Sequence, residues 1–158
     1  MSEKDDYDFE KIGSDPSLEE LRLIKSKKAF PGCHNQEDIN RGFKTLNFLK
    51  QALPMGEELI AKDPQQLFTV CRESGINHLI YSGFAINWCL LGSPGGMLDM
   101  YRRGIMCSAI RQAVTAVENK ETAAEELCKE IGLWRVALQF GFVFDDHDII
   151  SALSGRIL

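Results

Sequence analysis

The chain lacks most of the features that identify chemistry by inspection. Its five cysteines are odd in number and include no CxxC pair, which argues against a disulfide framework and a zinc ribbon. Its three histidines, His34, His78 and His147, lie far apart without ligand spacing, so no metal site is expected. Ser93-Pro94-Gly95-Gly96 has glycines but neither the lysine nor the spacing of a phosphate loop. No apolar run approaches a membrane span. The opening MSEKDDYDFE is acidic and has no apolar segment of the secretory type. Positive charge is also scarce. Eighteen Lys and Arg face 23 Asp and Glu, a net charge of -5, so bulk electrostatics do not favour DNA, RNA or anionic membrane. The expectation is a cytoplasmic protein with no nucleic-acid partner, no membrane partner and no cofactor.

What is present is ordinary for a globular chain. The 158 residues are 44% hydrophobic and 26% charged, enough for one domain with a sizeable core. Residues 1–15 are polar and aperiodic and read as a flexible acidic arm. Residues 16–158 read as a single domain. A first helix is expected from Pro16 with Asp15 as its cap, ended by Pro31-Gly32. Residues 37–50 suit a second helix, with Ile39, Phe43 and Leu46 at helical spacing.

From residue 58 the rhythm changes to alternating strands and helices. The strand candidates are 58–61, 78–82, 105–110 and 142–144. Asp63-Pro64 starts a helix lined by Leu67, Val70 and Cys71, and Gly75 closes it. Residues 87–101 are expected to be helical with a break near 93–96. A long helix over 120–139 is expected to turn Leu127, Ile131, Trp134 and Leu138 inward. Asp145 or Asp146 caps a last short helix, a simpler role for Asp145-Asp146-His147-Asp148 than a cation site. The alternation predicts an α/β fold with a mostly parallel sheet covered by helices on both faces.

In such sheets ligands bind at the carboxyl ends of the strands, and residues 82–89 lie at one. Gly83 allows a sharp exit from the strand. Cys89 then falls in the first turn of the next helix, where unpaired N–H groups favour a thiolate and can hold an oxyanion. By residue type alone, a cysteine after an apolar strand is more often a small core residue. Lys62 is by the same standard a solvated strand end, and Trp88 and Trp134 are core.

The segment Gly83-Phe84-Ala85-Ile86-Asn87-Trp88-Cys89 resembles the nucleophile turn of the isochorismatase-like cysteine hydrolases, a family that includes nicotinamidases. Pro54-Met55-Gly56-Glu57-Glu58-Leu59-Ile60-Ala61-Lys62 resembles the strand leading to that family's lysine. Gly104-Ile105 with Arg111-Gln112-Ala113-Val114-Thr115-Ala116 resembles its next strand. The likeness covers roughly residues 54–153.

The resemblance implies a three-layer, Rossmann-like α/β/α fold and a hydrolase acting on an amide or related C–N bond of a small molecule. Cys89 matches the nucleophile and Lys62 the residue that keeps the thiolate charged. Phe84-Ala85 matches the cis peptide beside the oxyanion, and Asn87 and Trp88 would line the substrate pocket. A homo-oligomer is the implied assembly. The pattern departs at Ile86, where Thr is usual, and at Gln112, where Asp is common. The family's aspartate ends an apolar strand upstream of the lysine. Residues 1–53 contain no four-residue apolar run, so the fold is expected to be incomplete on its N-terminal side, and Asp15 and Asp38 fit better as caps or surface groups. The alternative is a catalytically incomplete relative that binds or assembles.

Overall fold

A computed structural model of the chain describes residues 15–28, 36–48 and 50–155. The acidic arm up to residue 14, the Pro31-Gly32 stop, Cys33 and His34 lie outside them. The chain divides into two units, Met1–Met55 and Gly56–Leu158. The first contains α1 (Pro16–Lys28), α2 (Gln36–Thr45) and a 3₁₀ turn (Lys50–Ala52). Asp15 caps α1, its Oδ1 accepting from Ser17 N–H at 2.9 Å and from Ser17 Oγ at 2.8 Å. Neither helix buries a residue.

The second unit is α/β. Its elements are α3 (Pro64–Glu73), β1 (His78–Phe84), α4 (Cys89–Gly92), α5 (Met97–Arg102), β2 (Met106–Thr115), α6 (Leu127–Arg135), a π-helical continuation (Val136–Phe140), β3 (Val143–Phe144) and α7 (Asp146–Leu153). The three strands form a parallel sheet in the order β1-β2-β3.

Local chemistry sets the helix limits. Asp63 caps α3 by accepting from Gln66 N–H at 2.8 Å, and Pro64 fills the first position, where no N–H is needed. Gly75, at φ +66°, leads the chain out of that helix.

Leu79 and Tyr81 of β1 lie opposite Cys107 and Ala109 of β2, on the face that packs into the core. Cys71 of α3, Met97 and Met100 of α5, and Leu133, Val136 and Phe140 of α6 and its continuation complete that core. The alternate residues take the other face. There Ser108 is fully buried, its Oγ accepting from Phe142 N–H at 2.8 Å and lying 2.7 Å from His78 Nε2. Burial without such partners would be costly for a hydroxyl.

Two expectations are corrected. Residues 58–61 form no strand, and Leu59 and Ile60 stay 72% and 61% exposed. A strand exists only through its ladder, and among the described residues none pairs with the free edge of β1. The helical stretch over 87–101 breaks where Ser93-Pro94-Gly95-Gly96 suggested, the chain turning through Ser93–Gly96 between α4 and α5. The long helix starts at Leu127 rather than 120, and its orientation is reversed. Leu127, Ile131, Trp134 and Leu138 are 46–65% exposed, whereas Gly132, Leu133, Val136 and Phe140 face the sheet.

Candidate functional site

The turn from β1 into α4 gathers five of the residues singled out from sequence: Phe84, Ala85, Asn87, Trp88 and Cys89. It begins with a change of register. Tyr81 pairs with Ala109, but two residues later Gly83 pairs with Val114. Residues 110–113 of β2 therefore bulge out of the β1 ladder. Bulges of this kind re-aim side chains at the ends of sheets. Gly83 has φ +114°, a conformation that only glycine takes without strain. The Phe84–Ala85 peptide is cis.

The segment beyond the bulge then holds the turn. Ile86 N–H donates to the Thr115 carbonyl at 2.8 Å. Asn87 Nδ2 donates to the Val117 carbonyl at 2.9 Å, and Val117 N–H donates to Asn87 Oδ1 at 3.0 Å. The Ala85 carbonyl accepts from Trp88 and Leu90 N–H at 3.0 and 3.1 Å. Ala85 and Ile86 are buried, and Ile86 lies so close to α6 that a Cβ at Gly132 would stand 2.8 Å from its Cγ2. The anchored residues thus point in, while Phe84, Trp88 and Cys89 are exposed.

Cys89 is accordingly not a core residue. Cys71 and Cys107 are: both are fully buried, and burial pushes the Cys71 thiol up and the Cys107 thiol up to about 11. Cys89 opens a helix of four residues. Such a helix has almost no macrodipole, so any support for a thiolate comes from the individual end amides.

Asn87 was expected in a substrate pocket. Its amide oxygen and one amide N–H are committed to Val117, so it positions the turn. Trp88 stands beside the thiol at 66% exposure. Lys62 lies on the coil before α3, where its backbone N–H donates to Gln66 Oε1 at 3.0 Å. Its side chain is exposed, and among the described residues no hydrogen bond or ion pair links its ammonium to Cys89 or to any other group. Asp15 serves α1, and Asp38 pairs with Arg41 within α2.

The coil that carries Lys62 borders a cleft of about 250 Å³ lined by Leu59, Ala61, Asp63, Leu67, Val70, Pro94 and Gly95. Its Pro94-Gly95 rim follows α4 directly and is fixed from below, with Tyr81 Oη donating to the Gly95 carbonyl at 2.9 Å. Gly95 N–H donates to Asp99 Oδ2 at 3.1 Å. Cys89 does not line this cleft.

Sequence reasoning missed the braces around the turn. Glu118 receives Cys128 N–H at 3.1 Å and Lys129 N–H at 2.9 Å, capping α6 from outside the helix. It stands ten residues before the helix donors it serves, too far for a capping-box spacing to reveal it. Gln112 clamps the start of α7 in the same manner, donating to Asp145 Oδ1 at 2.8 Å and accepting from Asp146 N–H at 3.0 Å.

Among the described residues, no group of three His, Cys, Asp or Glu side chains could hold a metal ion, and no helix is long and apolar enough to cross a membrane. No protein-family model, curated protein or solved structure matches the chain.

Proposed function

We propose that this chain is an isochorismatase-like cysteine hydrolase that cleaves an amide or related C–N bond of a small molecule, with Cys89 as nucleophile. One observation carries the reading: an exposed thiol on a turn whose backbone is held from both sides at the carboxyl end of β1. Structural cysteines are buried, as Cys71 and Cys107 are; a nucleophile must be reachable and fixed in place.

The Cys89 thiolate would add to the amide carbonyl carbon, forming a C–S bond. The Ala85 and Cys89 amides would hold the oxyanion. Collapse breaks the C–N bond and expels the amine, which takes up a proton. Water then cleaves the thioester to the carboxylic acid, freeing the thiol. Lys62 would keep the sulfur anionic. The Phe84 and Trp88 rings would offer apolar walls to the substrate.

A second reading is favoured by the Lys62 ammonium, unpartnered among the described residues, and by the lack of a strand over 58–61. In it the chain keeps the family's turn without its proton-transfer groups and serves as a binding or assembly subunit.

One experiment separates them. The protein is incubated with a panel of small primary amides, nicotinamide included, and with an activated acyl ester. Release of amine and an acyl adduct mapped to residue 89, both lost in Cys89→Ala, support the hydrolase. An ester adduct at Cys89 without amide turnover supports the binding subunit. Acylation spread evenly over the cysteines sinks both roles for Cys89.

A further inference from the structure

The cleft walled by Leu67, Val70 and Pro94 has a neighbour. A second cleft, of about 430 Å³, lies against α3 and is lined by Ile60, Asp63, Gln65, Gln66, Thr69 and Val70. Asp63 and Val70 line both, so the half-buried Asp63 carboxylate stands at their boundary. Apart from it and the Gly95 backbone, the first cleft is aliphatic. The second sets two side-chain amides and a hydroxyl beside the same carboxylate. Bonds already made decide which groups are left for a ligand. Gln66 Oε1 accepts from Lys62 N–H at 3.0 Å, and Gln65 Oε1 accepts from Arg103 Nη1 at 3.1 Å. With the oxygens taken, each amide presents its N–H donors, and neither Nε2 makes a hydrogen bond among the described residues. Arg103 is held over the Phe68 ring, 5.2 Å from its centroid, so a positive charge stands behind Gln65. Asp63 spends Oδ1 on Gln66 N–H, and no ion pair among the described residues takes up the charge of Asp63 or of Arg103.

We infer that these adjoining clefts bind a free α-amino acid with an aliphatic side chain. Its ammonium sits on the Asp63 carboxylate. Its carboxylate takes the Gln65 and Gln66 amide donors, under the charge of Arg103. Its side chain enters the aliphatic cleft between Leu67, Val70 and Pro94. An acceptor of negative charge beside donors backed by positive charge matches a zwitterion, and matches neither a plain amine nor a plain acid. The aliphatic cleft, about 250 Å³, admits one side chain; clefts for drug-sized ligands begin at roughly 300 Å³. Cys89 lines neither cleft, so this site stands apart from the proposed hydrolase chemistry.

Titration of the isotope-labelled full chain, followed by amide NMR shifts, tests the inference. L-leucine should bind with shifts centred on residues 63–70. Isocaproate lacks the ammonium and isoamylamine the carboxylate, so each should bind about tenfold or more weakly, the worth of charge-assisted hydrogen bonds. Glycine, with no side chain to bury, should not bind. Asp63→Asn should weaken leucine about tenfold at a nearly unchanged unfolding temperature, because Asn caps a helix as well as Asp does. Gln66→Glu keeps the acceptor for Lys62 N–H but sets a carboxylate where a donor stood, and should weaken leucine at least as much. Cys89→Ala should leave leucine binding unchanged. Absence of leucine binding at millimolar concentration overturns the proposal. Isoamylamine or isocaproate binding as tightly as leucine also overturns it, as does leucine binding untouched by both substitutions in the cleft.

Discussion

Asn87 occupies both backbone hydrogen-bonding groups of Val117, giving a proton at 2.9 Å and accepting one at 3.0 Å. A side-chain amide has the same donor and acceptor as a peptide, so this pair continues the sheet where the β1 ladder stops. The thiol two residues on inherits its position from that pairing. Asn87→Ala is expected to cost about 1–3 kcal/mol, two net hydrogen bonds, in urea unfolding. Asn87→Asp keeps the acceptor but sets a carboxylate oxygen against the Val117 carbonyl, and should lose at least as much. Equal stability of Asn87→Ala and wild type would show that the pair does not hold the turn.

The cysteines should separate by reactivity. Cys89 is exposed, Cys128 is half-buried with its S–H toward Thr122 Oγ1 at 3.5 Å, and Cys71 and Cys107 are buried. With its thiol at about 11 against an ordinary 9.0, Cys107 carries roughly a hundredfold less thiolate at neutral pH than an unperturbed cysteine. Among the four described cysteines, iodoacetamide with peptide mapping should label Cys89 first, Cys128 next, and Cys71 and Cys107 only on unfolding. Early labelling of Cys107 would contradict the packing of β2.

Glu118 makes α6 sensitive to acid. Desolvation opposes its ionisation, but hydrogen bonds from Thr122, Cys128 and Lys129 outweigh it and hold the carboxyl down at about 2. A carboxylate depressed on folding stabilises the native state above its unfolded value, near 4.5, and loses that contribution as pH falls toward 2. Stability measured by denaturant titration should therefore decline through this window. In Glu118→Gln the decline should be shallower, starting from a lower value at neutral pH. Identical slopes in the two proteins would remove Glu118 from the account.

Gly141 lies where the π segment turns into β3. A Cβ there would stand 2.6 Å from the Cys107 carbonyl oxygen and 2.6 Å from Ser108 Oγ. Neither neighbour can yield, one being backbone and the other held by His78 and Phe142. Gly141→Ala is expected to cost about 1–3 kcal/mol as overpacking, read by thermal unfolding. A neutral result would mean that β3 sits farther from β2 than described.

Several features were legible in the residues themselves. Asp15 and Asp63 cap helices where their positions before Pro16 and Pro64 said they should. The strand that ends near Gly83 and the strand that follows Gly104 were visible as apolar runs bounded by glycine, and the alternation gave an α/β sheet with parallel strands. The glycine before Phe84 announced the sharp exit that brings Cys89 to the surface. These are local properties, set by short-range sterics and by hydrogen bonds spanning a few residues.

Pairing and facing were decided only in three dimensions. The helix at 127–140 is apolar on two opposite sides, and periodicity cannot say which one meets the sheet. Gly132 settles it, because only a residue without Cβ lets the helix approach Ile86 so closely. The run at 58–61 has the composition of a strand but no neighbour to complete its ladder, so it stays coil. The braces from Val117, Glu118 and Gln112 join residues 10 to 34 positions apart in the chain. Sequence determined which segments could be helix or strand; which surfaces close on one another depended on contacts that exist only once the chain has folded.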